Sequence, residues 1–125
     1  MPAPSEIKLR RKSNLLELRF GSETFELPAE YLRVYSPSAE VRGHGLGQEK
    51  LQYGKLHVKL TGVEPQGNYA VRLIFDDGHD SGIYTWDYLY DLGSRQAALW
   101  QSYLDALASA GKTRDPDTSV VRFIQ

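Results

Sequence analysis

Short runs of alternating apolar and polar residues fill the first two thirds of the chain, and a helical apolar spacing replaces them toward the end. Ile7, Leu9 and Arg11 alternate with Lys8, Arg10 and Lys12, which predicts an exposed first strand. In LLELRF-GS-ETFEL, a turn at Gly21-Ser22 pairs Phe20 with Glu23, Leu18 with Phe25 and Leu16 with Leu27. Both apolar pairs then share one face, as a two-residue hairpin with glycine first in its turn requires. Pro28 to Val34 reads as the start of a short helix with proline in its first turn. Pro37 and the glycines at 43, 45 and 47 then predict an irregular loop to about residue 50. LHVKLTGV, with Leu56, Val58 and Leu60 against His57, Lys59 and Thr61, predicts a half-buried strand. NYAVRLIF is apolar on nearly both faces and predicts a central strand. A third strand begins at Gly82-Ile83-Tyr84.

The remainder is helical. Thr85 is placed to cap a short helix, WDYLYDL, that buries Trp86, Leu89 and Tyr90 and stops at Gly93. Ser94 is placed to cap a longer one that ends at Gly111. Its apolar side carries Trp100, Tyr103, Leu104 and Leu107, with Arg95, Ser102, Asp105 and Ser109 opposite. Strands first and helices last predict an α+β fold: a single small domain with an antiparallel-rich β-sheet, hairpins and C-terminal helices. The expected boundaries are a disordered N-terminus at 1–5, the domain at 6–111 and a flexible tail at 112–125. In that tail KTRDPDTS is linker-like, while Val120, Val121, Phe123 and Ile124 form a sticky end expected to dock on the domain or on a partner.

Bulk properties narrow the function classes. A chain of 125 residues with 41% hydrophobic and 25% charged residues suits one soluble domain. A net charge of −1 gives no global attraction for nucleic acid or an anionic membrane. Absence of cysteine removes disulfides, thiolate metal sites and a cysteine nucleophile. No apolar run reaches membrane-spanning length and the start lacks a signal-peptide pattern, so the expected location is the cytoplasm.

FDDGHDSGIYTW, residues 75–86, is the stretch richest in chemistry. His79, Asp80 and Ser81 spell a catalytic triad, but three consecutive residues cannot place a base between its nucleophile and its orienting acid. The frame also misses G-x-S-x-G by one position. An iron site of the two-histidine type uses His-x-Asp, whereas Asp80 directly follows His79 and would leave a strand on the opposite face. No calcium-loop spacing is present. Asp76, Asp77 and Gly78 therefore read as a turn between strands. GHGLGQEK, residues 43–50, lacks phosphate-loop spacing and reads as a surface loop. KLRRK, residues 8–12, splits its charges between two faces without stacking aromatics, which argues against nucleic acid.

LRVYSPSAEVRGHG together with GNYAVRLIFDDGHDSGIYTWDYL resembles the gamma-butyrobetaine hydroxylase-like N-terminal domain family over about residues 6–92. In that family the domain precedes the catalytic barrel of carnitine-synthesis dioxygenases, is attached to P-loop ATPases that handle iron–sulfur clusters, or stands alone as a small bacterial protein. The length here is similar to the stand-alone form. In the hydroxylases the matching segment is C-x-C-x-x-C, and with a later histidine it binds structural zinc. The resemblance places those cysteine positions on Ser36, Ser38 and Val41 and the histidine on His79, so a degenerate site without bound metal is implied. No cofactor and no catalytic residue is expected. The function implied is a non-catalytic accessory or protein-interaction domain with an unidentified protein partner, and no nucleic-acid or membrane partner. The alternative is a metal-associated accessory role in iron or iron–sulfur cluster handling, with His79 assisted by His44 or His57.

Overall fold

The computed structural model describes residues 2–43 and 50–118. Strands β1 (Glu6–Arg10), β2 (Leu15–Phe20) and β3 (Glu23–Pro28) form one antiparallel sheet in chain order. Two short helices follow, α1 (Ala29–Val34) and α2 (Ala39–Arg42). Strands β4 (Leu60–Gln66), β5 (Ala70–Phe75) and β6 (Ile83–Thr85) build a second antiparallel sheet with β5 in the centre. Helices α3 (Trp86–Ser94) and α4 (Gln96–Ala110) come last. The fold is α+β, with its strands divided between two three-stranded sheets.

The hairpin register is the one its apolar pattern demands, with Phe20 opposite Glu23, Leu18 opposite Phe25 and Leu16 opposite Leu27. Gly21 has φ 60°, the left-handed conformation that its turn position needs. Leu16, Leu18 and Leu27 are fully buried, each contributing roughly 1.5–3 kcal/mol. They share one core with Leu32 of α1, Val71 and Leu73 of β5, Tyr84 of β6, and Leu89 and Leu92 of α3. A smaller cluster of Val34, Tyr103 and Leu107 seats α4 against α1.

Several elements depart from the sequence reading. The expected strand at Leu56 starts only at Leu60, because upstream backbone groups have other partners. Leu56 N–H donates to Arg114 O at 3.0 Å, and the Asn14 side chain binds Val58 O at 2.8 Å and Leu60 N–H at 3.0 Å. Within the loop expected from Pro37 to about residue 50, Ser38 caps the single helical turn α2 by accepting Glu40 N–H at 3.2 Å. α3 continues through Gly93 to Ser94. Ser94 does not cap α4; its hydroxyl donates to Asp91 O at 3.3 Å, and Arg95 takes the cap position. Thr85 does cap α3, accepting Tyr88 N–H at 3.2 Å.

Both proposed chain ends are more tied down than expected. Ser5 N–H donates to Arg19 O at 2.8 Å, so order begins before Glu6. Gly54 N–H donates to Thr113 O at 3.0 Å, and Arg114 grips buried Glu30 through two bonds of 2.8 and 2.6 Å. Residues 112–118 are therefore a strap on the domain surface and not a free linker. Val120, Val121, Phe123 and Ile124 lie outside the described residues.

Five tyrosines carry a structural duty that composition alone conceals. Tyr31, Tyr35, Tyr84, Tyr88 and Tyr103 each donate a hydroxyl proton to a backbone carbonyl in another segment, at Leu92, Leu99, Leu32, Tyr35 and Gln52. Tyr31, Tyr84 and Tyr103 are buried and Tyr35 and Tyr88 pack against the core, so each ring adds apolar contact while its hydroxyl finds a backbone acceptor.

Gly93 is kept by packing, not by helix termination. A Cβ there would lie 2.6 Å from Phe25 Cδ2 of β3. Gly93→Ala should therefore destabilise the protein by about 1–3 kcal/mol despite alanine's better helix propensity. In a Phe25→Leu background the same change should cost clearly less. Urea denaturation of the four proteins measures this coupling, and an equal cost in both backgrounds would remove the steric explanation.

Candidate functional site

The turn between β5 and β6 and the segment between α1 and α2 meet in one buried polar cluster. Asp76 and Asp77 open the turn, and Gly78 with φ 88° carries it through a conformation that suits glycine. Phe75 N–H donates to His79 O at 3.0 Å, and Asp77 Oδ1 accepts His79 N–H at 3.2 Å. These bonds turn the His79 side chain into the protein, where it is almost completely buried.

Both ring nitrogens of His79 are satisfied there. Nδ1 lies 3.1 Å from Glu40 Oε2 and Nε2 lies 2.8 Å from Ser36 Oγ. A carboxylate only accepts, so Nδ1 carries the proton and Nε2 accepts from the Ser36 hydroxyl. Ser36 Oγ accepts in turn from Ser38 N–H at 3.3 Å, and Ser38 Oγ is 2.7 Å from Ser81 Oγ. Val41 is buried alongside, its N–H donating to Ser38 O at 3.0 Å. Gly82 permits the approach, because a Cβ at that position would stand 2.6 Å from Ser36 Oγ.

Ion pairs hold the same turn from outside. Asp77 Oδ2 meets Arg33 Nε at 2.9 Å and Lys55 Nζ at 2.7 Å. Asp76 Oδ1 accepts Lys59 N–H at 2.8 Å, and Asp80 pairs with Arg72 at 3.4 Å. All three acids of the stretch are thus engaged in fastening the turn. Burial alone would raise the Asp77 carboxyl; the Lys55 ammonium, the His79 N–H and the Arg33 guanidinium outweigh it and hold it down at about 2. Burial lowers the His79 imidazole and Arg33 lowers it further, while Glu40 works against both.

Of the residues singled out in the sequence, Ser36, Ser38 and His79 come together, and Asp80 and Ser81 do not flank the imidazole. The histidine instead sits between Ser36 and Glu40, an order of groups shared with serine-nucleophile relays. Such a relay needs an accessible hydroxyl and donors for an oxyanion. Ser36 is 1% exposed and its one neighbouring N–H donor, from Ser38, already bonds its own oxygen. His57 is exposed and is not a partner of His79, and His44 lies outside the described residues. Among the described residues no three His, Cys, Asp or Glu side chains are grouped closely enough to hold a metal ion. Within the basic run, Lys8 pairs with Glu6 at 3.1 Å, Arg10 pairs with Glu17 at 2.8 Å, and Arg11 donates to Thr61 O at 3.1 Å. No helix among the described residues is long and apolar enough to cross a membrane.

Glu40 and Gly82 were not legible as site residues. Glu40 is an exposed acid in a one-turn helix, and Gly82 reads as the first residue of a strand. Only the fold reveals that one binds the imidazole and the other makes room for Ser36.

The chain as a whole is similar to known proteins. The family model described as "Gamma-butyrobetaine hydroxylase-like, N-terminal" matches residues 7–90. A protein solved by solution NMR is 60% identical, with a TM-score of 0.85 over 100% of this chain and 99% of its own. A second solution structure is 46% identical, with a TM-score of 0.79, covering 100% of this chain and 95% of its own. A crystal structure of a DUF971-family protein of unknown function from Acidithiobacillus ferrooxidans is 38% identical, with a TM-score of 0.61, over 72% of this chain and 91% of its own. No curated protein matches.

The neutral state of His79 sets an acid limit on stability. The unfolded imidazole binds a proton near pH 6.5, whereas the folded one resists until lower pH. Stability should therefore fall as pH drops below about 6.5 and level off below the folded value. Asp77 acts in a separate window, its contribution present above pH 3.8 and lost as pH falls toward about 2. Denaturant unfolding at neutral and mildly acidic pH, on wild type and His79→Gln, should show the first loss in wild type alone. An equal slope in both proteins would assign that loss elsewhere.

Proposed function

Because the chain belongs to the gamma-butyrobetaine hydroxylase-like N-terminal domain family, we propose that it is a non-catalytic accessory domain that binds a protein partner in the cytoplasm. Its zinc position is rebuilt as a hydrogen-bonded cluster. The observation that carries this reading is the 2.8 Å bond between Ser36 Oγ and His79 Nε2. A closed zinc site takes four donors from Cys, His or carboxylate side chains. The corresponding positions here offer two hydroxyls, one hydrocarbon and one imidazole, and that imidazole is already committed. These residues do not fit the ion.

The same bond supports a non-catalytic role. Ser36 is the one hydroxyl activated by a histidine in this cluster, and it is sealed from solvent. What remains is a surface around α2 and the β5–β6 turn, fastened by the ion pairs of Asp77 and the His79–Glu40 bond, a suitable platform for a partner. The joining of family members to larger catalytic or ATPase chains favours that use.

Elemental analysis tests the metal half. Purified protein should carry less than about one-tenth equivalent of zinc, while the S36C/S38C/V41C variant should take up about one equivalent. Stoichiometric metal in wild type after chelator dialysis would overturn the reading, and an empty triple variant would show that these are not the ligand positions. A fluorophosphonate probe should leave Ser36 unlabelled; labelling there would establish a reactive nucleophile.

A further inference from the structure

We propose that the cavity framed by α1, α2, α3 and α4 binds a small amphipathic carboxylate, with its chain inward and its carboxylate at Arg42 and Lys50. The cavity has a volume of about 390 Å³, within the usual range for small-molecule sites. Its floor is apolar and aromatic, from Val34, Leu51, Tyr88 and Tyr103. The polar tips of the two tyrosines are already occupied, Tyr88 donating to Tyr35 O at 2.5 Å and Tyr103 to Gln52 O at 2.8 Å. The floor therefore asks for hydrocarbon, not for hydrogen bonds.

Among the described residues, the charges in the cavity wall are of one sign. Arg42 and Lys50 contribute to the wall and no aspartate or glutamate does, among the described residues. The Arg42 guanidinium lies 4.7 Å from the centre of the Tyr88 ring, an orientation fixed by cation–π attraction. No ion pair to Arg42 or Lys50 is formed within the described residues. Most other cations near the functional cluster are paired, including Arg33, Lys55 and Arg72. A guanidinium braced on an aromatic face, with Lys50 in the same wall, suits a planar carboxylate bound by charge-assisted hydrogen bonds. An apolar body with one anionic end meets both halves of the site. Ser36 and Val41 also line the cavity, so it borders the His79 cluster; neither cation belongs to that cluster, and loss of octanoate binding would leave the metal-free reading standing.

Titration by proton–nitrogen correlation spectroscopy, with sodium octanoate as the probe, tests it. Octanoate should give saturable shifts at Leu51, Tyr88, Ser102 and Tyr103, while octanol should bind about tenfold more weakly and acetate should not saturate. Arg42→Gln, at an exposed position, should weaken octanoate about tenfold and leave octanol unchanged. Ala106→Trp, which fills the cavity from α4, should abolish both. The proposal is overturned if octanoate does not saturate, if octanol binds equally well, or if Arg42→Gln has no effect on octanoate.

Discussion

The contact between Ser36 and the backbone at Gly82 is the constraint on which the site depends. A side chain at Gly82 would occupy the space of the Ser36 oxygen, so its absence lets the α1–α2 segment lie against the start of β6. Once there, Ser36 supplies the hydrogen that His79 Nε2 needs, and Glu40 takes the one that Nδ1 offers. A buried imidazole with both nitrogens satisfied can remain neutral; with one lost, it would leave an unpaired polar atom in the core. The serine that closes the histidine network also receives Ser38 N–H. One close approach thus fixes the turn, the cap of α2 and the protonation of the ring.

Helix α1 links this cluster to the rest of the molecule through charge. All six of its residues are buried, including Glu30 and Arg33. Arg33 reaches Asp77 in the β5–β6 turn, and Glu30 reaches Arg114 in the strap after α4. Removing Arg114 would leave the buried Glu30 carboxylate without its ion pair, which is costlier than replacing both partners. Arg114 also lies 5.0 Å from the Trp100 ring centre, so the strap is bound by stacking as well as by charge. The chain after Gly111 consequently helps to neutralise the interior beneath it.

The hairpin was readable because a two-residue turn and a strict alternation leave only one register that buries Leu16, Leu18 and Leu27 together. Thr85 and Gly111 were readable as helix boundaries for local reasons, a side-chain cap and a left-handed glycine. The strand start at Leu60 was not, since Leu56 and Val58 alternate correctly while their backbone is engaged by Arg114 and Asn14. Gly93 misled because a stop glycine and a close-packing glycine look alike until Phe25 is in place. At the site, family resemblance brought Ser36, Ser38, Val41 and His79 into consideration together. It could not foresee that hydroxyl, imidazole and Glu40 would satisfy one another.

The central claim is that His79 is a neutral, hydrogen-bonded core histidine whose Nε2 accepts from Ser36. Long-range proton–nitrogen correlation of the imidazole at neutral pH reports the state of each ring nitrogen directly. The expected result is a protonated Nδ1, a non-protonated Nε2 and a shift of the Nε2 signal on Ser36→Ala. A ring protonated at Nε2, or an Nε2 bound to a metal ion, would contradict it.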